Sequence, residues 1–387
     1  MTDQSILQRF DEWLAEESPF AALVMRQWLM PVEGKDAVIF PPTYTLDRTD
    51  VGSRFSKGEQ VPGVYQGAKG PYGYNIDLFQ DGTSVCLIDS VGSQANRMEP
   101  IFLREPYCKL VPQVRIRAGD KEVNLLQAGH RAADAIVRFS DLAGELERAF
   151  RAIGETGNAE PLAKIAPTSI VFGVWDSRLT QVKLPRIVRS VIRAYDVRPL
   201  HRSAQYIPPV DYVGQHLLDP PEGQPQKEAM SEQGLAHAPA AWTHGGVQVL
   251  KEIRREAALN LTAIRTLGAS DRGQRLQKLR RYILGLALVA FTAPQEPFLR
   301  EGCQLVPDPD RPPLWELVRY DGTRTSCQIA HKDALEYAEL AAQDFGVGED
   351  RIGTFDAETA RSALGQSKAE RKETRRRRQS TAEEEGN

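Results

Sequence analysis

The chain has 387 residues, of which 41% are hydrophobic and 26% are charged, and these proportions are ordinary for a folded globular protein. A formal net charge of −3 and an isoelectric point near 6.2 exclude a protein that is basic over its whole surface. A nucleic-acid site would therefore have to be a local stripe of Lys and Arg side chains.

The spacing of the cysteines and the length of the apolar runs exclude further classes of protein. The four cysteines are far apart and form no Cys-x-x-Cys pair, so the sequence predicts neither a zinc site nor a disulfide framework. The longest apolar run, residues 282–293, is too short to span a bilayer, and the N-terminus has no signal-peptide core. We expect a cytoplasmic protein with no metal, no cofactor and no membrane contact.

The N-terminal region combines a helical pattern with a polar insertion. Residues 4–30 carry apolar side chains at helical spacing, which predicts an amphipathic helix docked on the core. We assign residues 1–36 to this N-terminal helical segment and expect a short strand at 37–40. Residues 45–75 are polar and contain glycines, as an inserted loop would, and match neither nucleotide-loop signature. Their Lys and Tyr side chains fit contact with a nucleic-acid strand or simple exposure to solvent.

The most informative stretch is Ile88-Asp-Ser-Val-Gly-Ser-Gln-Ala-Asn-Arg-Met-Glu99. It follows an apolar run, 84–88, that predicts a strand, and Ser90 or Ser93 can cap the helix that begins there. A helix N-terminus offers amide donors and a partial positive charge to an anion. This chemistry favours a phosphate or a nucleobase edge as the ligand, and does not favour bond-breaking.

The next segment alternates in polarity. Residues 111–117 predict a strand with Val114 and Ile116 on one face and Arg115 and Arg117 on the other. Either a solvated sheet face or a contact with phosphates explains the two arginines.

Two apolar patterns follow. A helix is expected from about residue 132 to 153, and residues 169–175 predict a strand because they are rich in β-branched and aromatic side chains. We interpret Trp175, at the end of that strand, as a core residue rather than a stacking platform.

Residues 185–195 predict a basic amphipathic helix. Arg186, Arg189 and Arg193 fall at i, i+3 and i+7, on one helical face, with Asp196 as the only local acidic residue. Two explanations remain open: contact with an anion such as nucleic acid, and pairing with acidic residues elsewhere in the fold.

The rest of the chain is predicted to contain a second insertion, a charged tail, three helices and one strand. Residues 205–247 are rich in Pro, Gly, Gln and His, which is typical of a long loop or insertion. More than half of residues 366–387 are charged, so we expect a disordered tail. The other predicted elements are helices at 247–267, 274–293 and 332–344 and a strand at 315–320.

No catalytic motif is present. The sequence contains no His-Glu-x-x-His, no Gly-x-Ser-x-Gly and no Walker loop. The residues alone therefore indicate a binder of an anionic polymer, and we expect no enzymatic activity.

The motif at 89–99 resembles the signature of the CRISPR-associated RAMP backbone subunit of type I-G (formerly I-U) Cascade effector complexes. Further blocks agree in order within residues 38–330, and the combination is specific although no single block is. These blocks are Phe40-Pro-Pro-Thr-Tyr44, His130-Arg-Ala-Ala-Asp134, Ala166-Pro-Thr-Ser-Ile-Val-Phe-Gly-Val-Trp-Asp-Ser-Arg178 and Arg186-Ile-Val-Arg-Ser-Val-Ile-Arg-Ala-Tyr195.

The resemblance implies an α+β fold, a modified RNA-recognition-motif (ferredoxin-like) palm with inserted finger and thumb elements. The palm would cover residues 37–365, with insertions at about 45–75 and 205–247. The implied function is a non-catalytic subunit that polymerises head to tail along the CRISPR guide RNA, kinks it at regular intervals and presents it to a target DNA strand. Other Cascade subunits would be partners, and base pairing rather than protein contact would read the sequence.

The residue chemistry and the resemblance together nominate a guide-RNA site. Its predicted members are Ser90, Ser93, Gln94, Asn96, Arg97, Arg178, Arg186, Arg189 and Arg193. Asn96 and Glu99 have a structural alternative, as groups that hold the turn together. Two other functions stay open: a RAMP-superfamily RNA endonuclease that processes guide RNA with His130 or His201 as acid/base, and a scaffold for protein assembly.

Overall fold

The computed structural model describes residues 3–46, 63–67 and 70–365. The strands are β1 (Phe20–Pro31), β2 (Val38–Ile39), β3 (Thr43–Thr45), β4 (Val64–Gly67), β5 (Gly70–Tyr74), β6 (Ile76–Leu78), β7 (Ser84–Asp89), β8 (Val114–Ala118), β9 (Lys121–Asn124), β10 (Val174–Trp175), β11 (Lys183–Leu184), β12 (Val188–Tyr206), β13 (Ala238–Asn260), β14 (Phe298–Arg300), β15 (Cys303–Pro307), β16 (Leu314–Arg319), β17 (Arg324–Ser326) and β18 (Arg351–Thr354). The helices are α1 (Asp3–Gln8), α2 (Asp11–Leu14), α3 (Val91–Met98), α4 (Ala135–Arg138), α5 (Ala143–Thr156), α6 (Glu160–Ile165), α7 (Pro167–Phe172), α8 (Gln224–Glu232), α9 (Leu261–Arg265), α10 (Gln274–Thr292), α11 (His331–Phe345) and α12 (Ala357–Gly365).

The main sheet is antiparallel and is built around β1 and β13. β1 pairs with β13 on one side and with β15 and β16 on the other, while β12 and then β7 extend the sheet beyond β13. Helices separate β1 from β12 and β13 from β16, so the order β16-β1-β13-β12 is that of a ferredoxin-like βαββαβ unit. The predicted α+β fold class is confirmed, and the antiparallel sheets agree with an RNA-recognition-like palm.

Helix α10 forms the centre of the main core. Every residue from Tyr282 to Phe291 is buried, as the apolar run in the sequence predicts. On α11, Ala338 lies so close to Gly285 of α10 that a Cβ on the glycine would stand 2.9 Å from the Ala338 Cα. The two helices can therefore approach only because residue 285 has no side chain.

A polar layer divides the core side of the sheet into two apolar clusters. On β12, Val188 belongs to the main core and Ile192 to a second cluster beneath the inserted strands. Ser190 lies between them and accepts a hydrogen bond from Arg255 Nε at 3.0 Å. Arg255 is 4% exposed, and burial lowers the pKa of its guanidinium to about 10. A charged group thus sits inside the palm at the boundary between the two cores.

The two insertions have different structures. Residues 47–62 and 68–69 lie outside the described residues, and the rest of the first insertion forms β3, β4 and β5. The second insertion is not only a loop. β12 and β13 continue into it as paired strands, and α8 lies in the segment that connects them. We call residues 200–244 the arm. None of the residues of α8 is buried, so the arm extends away from both cores.

Three predicted helices are wrong because the chain forms strands there. Residues 20–31 are β1, residues 188–206 are β12 and residues 238–260 are β13, and only short helices precede β1 at the N-terminus. From Glu252 to Asn260 burial alternates strictly, as a strand requires. Arg255 takes one of the inward positions. Because a buried arginine is rare, the sequence does not show the alternation there.

The opposite error occurred at 169–175, where a strand was predicted. Residues 167–172 are the helix α7, and all six are buried, so no face of the helix is exposed and the segment carries no helical period. Gly173, with a φ of +78°, ends the helix and only Val174 and Trp175 are extended. The helix predicted over 132–153 is divided into α4 and α5, because residue 140 bridges to Phe355 instead.

Other predictions are confirmed. The strands expected at 84–88, 111–117 and 315–320 are β7, β8 and β16, and the helix at 332–344 is α11. The charged tail, 366–387, lies outside the described residues. Among the helices that the structure does describe, none has the length and apolarity needed to cross a membrane.

Candidate nucleic-acid interface

Asp89 organises the start of helix α3. Its side chain has no exposed surface, and it lies where β7 ends. Because the N-terminus of a helix favours a negative charge, the protein itself supplies the anion that the sequence pattern predicts there. The donors to its carboxylate are Ser93 Oγ at 2.7 Å, Gln94 Nε2 at 2.7 Å, Arg97 Nε at 3.1 Å and Arg300 Nη2 at 3.4 Å.

Ser90 caps α3, which confirms one of the two predicted capping residues, Ser90 and Ser93. Its backbone is extended, with φ −73° and ψ 164°, and its Oγ accepts a hydrogen bond from the Ser93 amide at 3.2 Å. The cap therefore uses Ser90 Oγ, while the Ser93 hydroxyl turns back to Asp89.

Gln94 and Arg97 join α3 to the sheet. Gln94 is 2% exposed, and its Oε1 accepts a hydrogen bond from Ser190 Oγ at 2.7 Å. Arg97 Nη2 donates to the carbonyl oxygen of Leu299 at 2.6 Å. The described contacts of these two side chains are with the protein, and RNA contact by Ser90, Ser93, Gln94 or Arg97 stays a prediction.

Arg131 connects α3 with the chain around Gly173. It is 4% exposed and has a positive φ of 53°, an uncommon conformation for a residue with a side chain. Its Nε donates to Glu99 Oε2 at 2.6 Å, its Nη2 to Asn96 Oδ1 at 3.2 Å and its Nη1 to the Gly173 carbonyl at 3.4 Å. Asn96 is exposed, and among the described residues its amide nitrogen has no hydrogen-bond acceptor. The prediction that Asn96 and Glu99 hold the turn is confirmed for these contacts, and the Asn96 amide nitrogen is left facing outward.

Glu99, like Asp89, is a fully buried carboxylate. Burial raises its pKa to about 7, although the charge of Arg131 acts in the opposite direction. The Thr168 hydroxyl also lowers this pKa, yet its geometry falls short of a hydrogen bond, and Glu99 Oε1 has no partner in the described part of the chain.

A set of exposed cations lies on the chain segments that follow Gly173. Arg178, Arg186 and Arg189 are exposed, and no ion pair or hydrogen bond joins the side chain of any of them to another described residue. Partial burial lowers the pKa of Arg186, and the nearby charges of Arg131 and Arg189 lower it further. The Cγ of Arg186 lies against Gly173, next to the β10–β11 hairpin that carries Arg178. We call Asn96, Arg178, Lys183, Arg186 and Arg189 the arginine patch.

Arg193 differs from the arginine patch. Its Nη1 lies 3.2 Å from Glu256 Oε2, and the neighbouring Arg254 contacts both Glu252 and Glu256 at 3.0 Å. The two explanations offered for the arginines therefore divide between residues: Arg193 pairs with an acidic group elsewhere, whereas Arg186 and Arg189 do not.

Comparison with known proteins identifies the segment that holds this network. Residues 23–199 match the family model described as "CRISPR-associated protein GSU0053". This segment is similar to a CRISPR-associated, RAMP-like family. The matched segment includes Asp89, Arg131 and the whole arginine patch, while the arm lies beyond it. The family resemblance is thus confirmed at this level. No curated protein matches the chain.

The outer face of the main sheet carries aromatic residues of its own. RNA-recognition domains stack bases on aromatic side chains of their sheet. Here Trp28 of β1 donates from Nε1 to Glu252 at 2.8 Å, and the Arg311 guanidinium lies 4.4 Å from its ring centroid. Arg254 covers Tyr195 in the same way, also at 4.4 Å. The aromatic faces on this side are thus occupied by guanidiniums of the protein.

Sequence reasoning missed Arg131 and misplaced Trp175. Arg131 falls inside the block 130–134 that carried the family resemblance, so that block was the available signal. The prediction that Trp175 belongs to the core is wrong, because its side chain is 56% exposed. The turn at Gly173 moves Trp175 out of the buried segment that the apolar residues 170–172 occupy.

Proposed function

We propose that this protein is a non-catalytic guide-RNA-binding backbone subunit of a type I-G CRISPR effector complex. It polymerises head to tail along the guide RNA, beside other subunits of the complex, and presents the RNA for pairing with target DNA in antiviral defence. The assembly is cytoplasmic.

The arginine patch is the observation that supports this function most. Arg186 lies near both the buried Arg131 and Arg189, and neither Arg186 nor Arg189 has an acidic side-chain partner in the described residues. The chain as a whole has three more acidic than basic side chains, so a cluster left unneutralised is not a consequence of composition. An anion bound there relieves the repulsion, and phosphates match the fork of an arginine.

The geometry favours a nucleic-acid backbone over a single small anion. The patch extends from Asn96 past Gly173 to the β10–β11 hairpin, so its cations are spread along a surface. The outward amide nitrogen of Asn96 suits a phosphate or a ribose 2′-hydroxyl. Contacts of this kind hold the backbone and leave base edges open for pairing.

The arm is our candidate for the element that kinks the RNA and reaches the next subunit. Its residues His201 and Trp242 stack with ring centroids 3.7 Å apart. Beyond them, Tyr206, Ile207 and Leu217 are 47%, 71% and 63% exposed. An exposed apolar tip on an extended hairpin fits contact with a neighbouring copy.

Salt-dependent RNA binding tests the proposal. Binding of a single-stranded guide RNA to purified protein is measured between about 50 and 300 mM salt for the wild type, Arg186→Gln, Arg189→Gln and Arg193→Gln. Each lost phosphate contact on single-stranded RNA lowers the slope of log affinity against log salt by about 0.7. We expect that decrease for Arg186→Gln and Arg189→Gln. Arg193→Gln, whose arginine is paired with Glu256, is the matched control and keeps the wild-type slope.

Two results contradict the proposal. Wild-type protein that does not bind guide RNA at low salt removes its basis. Specific cleavage of the RNA that disappears in His130→Ala or His201→Ala shows an endonuclease instead. Protected RNA fragments that increase in length by a constant step would support the filament.

A further inference from the structure

Trp175 is exposed on a short hairpin at the edge of the arginine patch. It belongs to the two-residue strand β10, opposite Lys183 of β11, and 56% of its surface is accessible. Tryptophan is highly buried on average, so more than half of an indole in solvent is an unusual use of the residue.

The surrounding chain holds Trp175 in a defined position. Val174 is buried, and Gly173 has a φ of +78° where a Cβ would meet the backbone nitrogen of Arg186 at 3.0 Å. After the tryptophan, the buried Asp176 carboxylate accepts hydrogen bonds from the Thr180 amide and hydroxyl, each at 2.8 Å. The indole is therefore presented by a rigid turn, so a ligand that stacks on it would not have to order the loop.

One cation lies against the indole, and a second is carried by the same hairpin. Lys183 Nζ lies 5.4 Å from the ring centroid, which is within range of a cation–π contact. Arg178 follows two residues beyond Asp176, and burial together with the charge of Arg178 lowers the pKa of Arg138 nearby. Asp176, the carboxylate closest in sequence, is buried and bonded within the turn. An apolar protein surface would bury these cations without neutralising them, whereas a nucleic acid supplies a base and phosphates together.

We propose that Trp175 is a stacking platform for an unpaired base of single-stranded RNA, with Arg178 and Lys183 on the phosphates beside that base. The proposal rests on the RNA-binding function proposed above and adds a base contact to a surface described so far by its charges. Stacking on an aromatic ring tolerates any base, because every base has a π-face. Trp175 therefore contributes affinity without sequence preference.

An RNA that lacks bases separates stacking from charge. Binding of a short oligouridylate and of an abasic ribose-phosphate strand of equal length is measured for the wild type, Trp175→Ala, Trp175→Phe and Arg178→Gln. Loss of one stacked base is worth about 1–3 kcal/mol, so Trp175→Ala should weaken oligouridylate binding about tenfold. Its affinity for the abasic strand should stay at the wild-type value. Trp175→Phe should keep most of the affinity, and Arg178→Gln should weaken both strands equally.

The outcomes are distinguishable. Equal oligouridylate affinity for Trp175→Ala and the wild type overturns the stacking role, and so does an equal loss on both strands. Self-association in the absence of RNA that Trp175→Ala abolishes assigns the indole to a protein interface and also overturns it. Wild-type protein that binds neither strand contradicts the proposed function itself. Thermal unfolding of Trp175→Ala at the wild-type temperature confirms that the variant is folded.

Discussion

Arg131 Nε lies 2.6 Å from Glu99 Oε2, and the two side chains are only 5% and 1% exposed. Glu99 directly follows helix α3, and Arg131 also bonds Asn96 and the Gly173 carbonyl. One ion pair thus fixes the end of the motif helix against the segment that begins the arginine patch. Because both charges are buried, neither can be replaced by solvent if its partner is lost.

Arg131→Leu is expected to lower the free energy of unfolding by about 3–5 kcal/mol, because it leaves the Glu99 carboxylate buried without a counter-charge. Urea unfolding followed by circular dichroism measures this change. Arg189→Leu, an exposed and unpaired arginine, serves as the control and should change the free energy by less than about 0.5 kcal/mol. An effect of Arg131→Leu as small as that of the control would show that the pair does not stabilise the fold.

The titration of Glu99 gives stability a pH dependence with a definite sign. Burial raises the pKa of Glu99 from 4.5 to about 7, so the folded protein holds this proton more tightly than the unfolded chain. The resulting stabilisation is complete below 4.5 and is lost as pH rises through about 7. Between about pH 5 and 8, the melting temperature of the wild type should therefore fall relative to that of Glu99→Gln. Parallel profiles for the two proteins would contradict the raised pKa.

Asp89→Asn should loosen the start of α3 more than any other part of the palm. The substitution removes the charge that Arg97 and Arg300 share and leaves one acceptor oxygen for Ser93 and Gln94. We expect a loss of about 3 kcal/mol in the free energy of unfolding. Hydrogen exchange should accelerate first at the amides of residues 91–98, with those of α11 as the internal reference. Uniform acceleration in both helices would show that Asp89 has no local role.

Two helical glycines should respond to alanine with opposite signs. Alanine usually stabilises a helix interior by up to about 1 kcal/mol relative to glycine. At Gly144, in the first turn of α5, a Cβ would meet only the flexible end of Arg148, at 3.6 Å, so Gly144→Ala should stabilise, though by less than in a helix interior. At Gly285 it would press on the Ala338 backbone at 2.9 Å, so Gly285→Ala should destabilise by about 1–3 kcal/mol. Thermal unfolding of both variants checks the signs, and stabilisation by Gly285→Ala would contradict the close packing of α10 on α11.

Local chemistry was enough to predict some elements. The hydroxyl of Ser90 and the strand before it identified the start of α3, and the uninterrupted apolar run from Tyr282 identified the buried part of α10. The same reasoning failed for β12 and β13, whose pairing joins residues far apart in sequence. The spacing of Arg186, Arg189 and Arg193 fits a helix, and only the partner strand shows that the chain is extended there.

In the candidate site, too, the contacts depend on residues that are far apart in sequence. Arg189 and Arg193 lie on one strand and look alike in sequence, but Arg193 meets Glu256, which is 63 residues away along the chain. No local pattern reveals which arginine is neutralised. Trp175 was assigned to the core because the residues before it are apolar, and the effect of a single turn at Gly173 on its exposure could not be read from composition.

The arm has a mechanical consequence for the palm. β12 and β13 run without a break from the sheet into the arm, so Arg189 and His201 belong to the same strand. Their register shifts between Tyr195 and Val197, between Pro199 and His201 and between Arg202 and Ala204, and such irregularities are where a ribbon bends and twists. A force on the tip of the arm is therefore transmitted to the palm along both strands. The ribbon bends at these register shifts. The ladder from Val188 to Tyr195, which contains Arg189, keeps its regular pairing with β13.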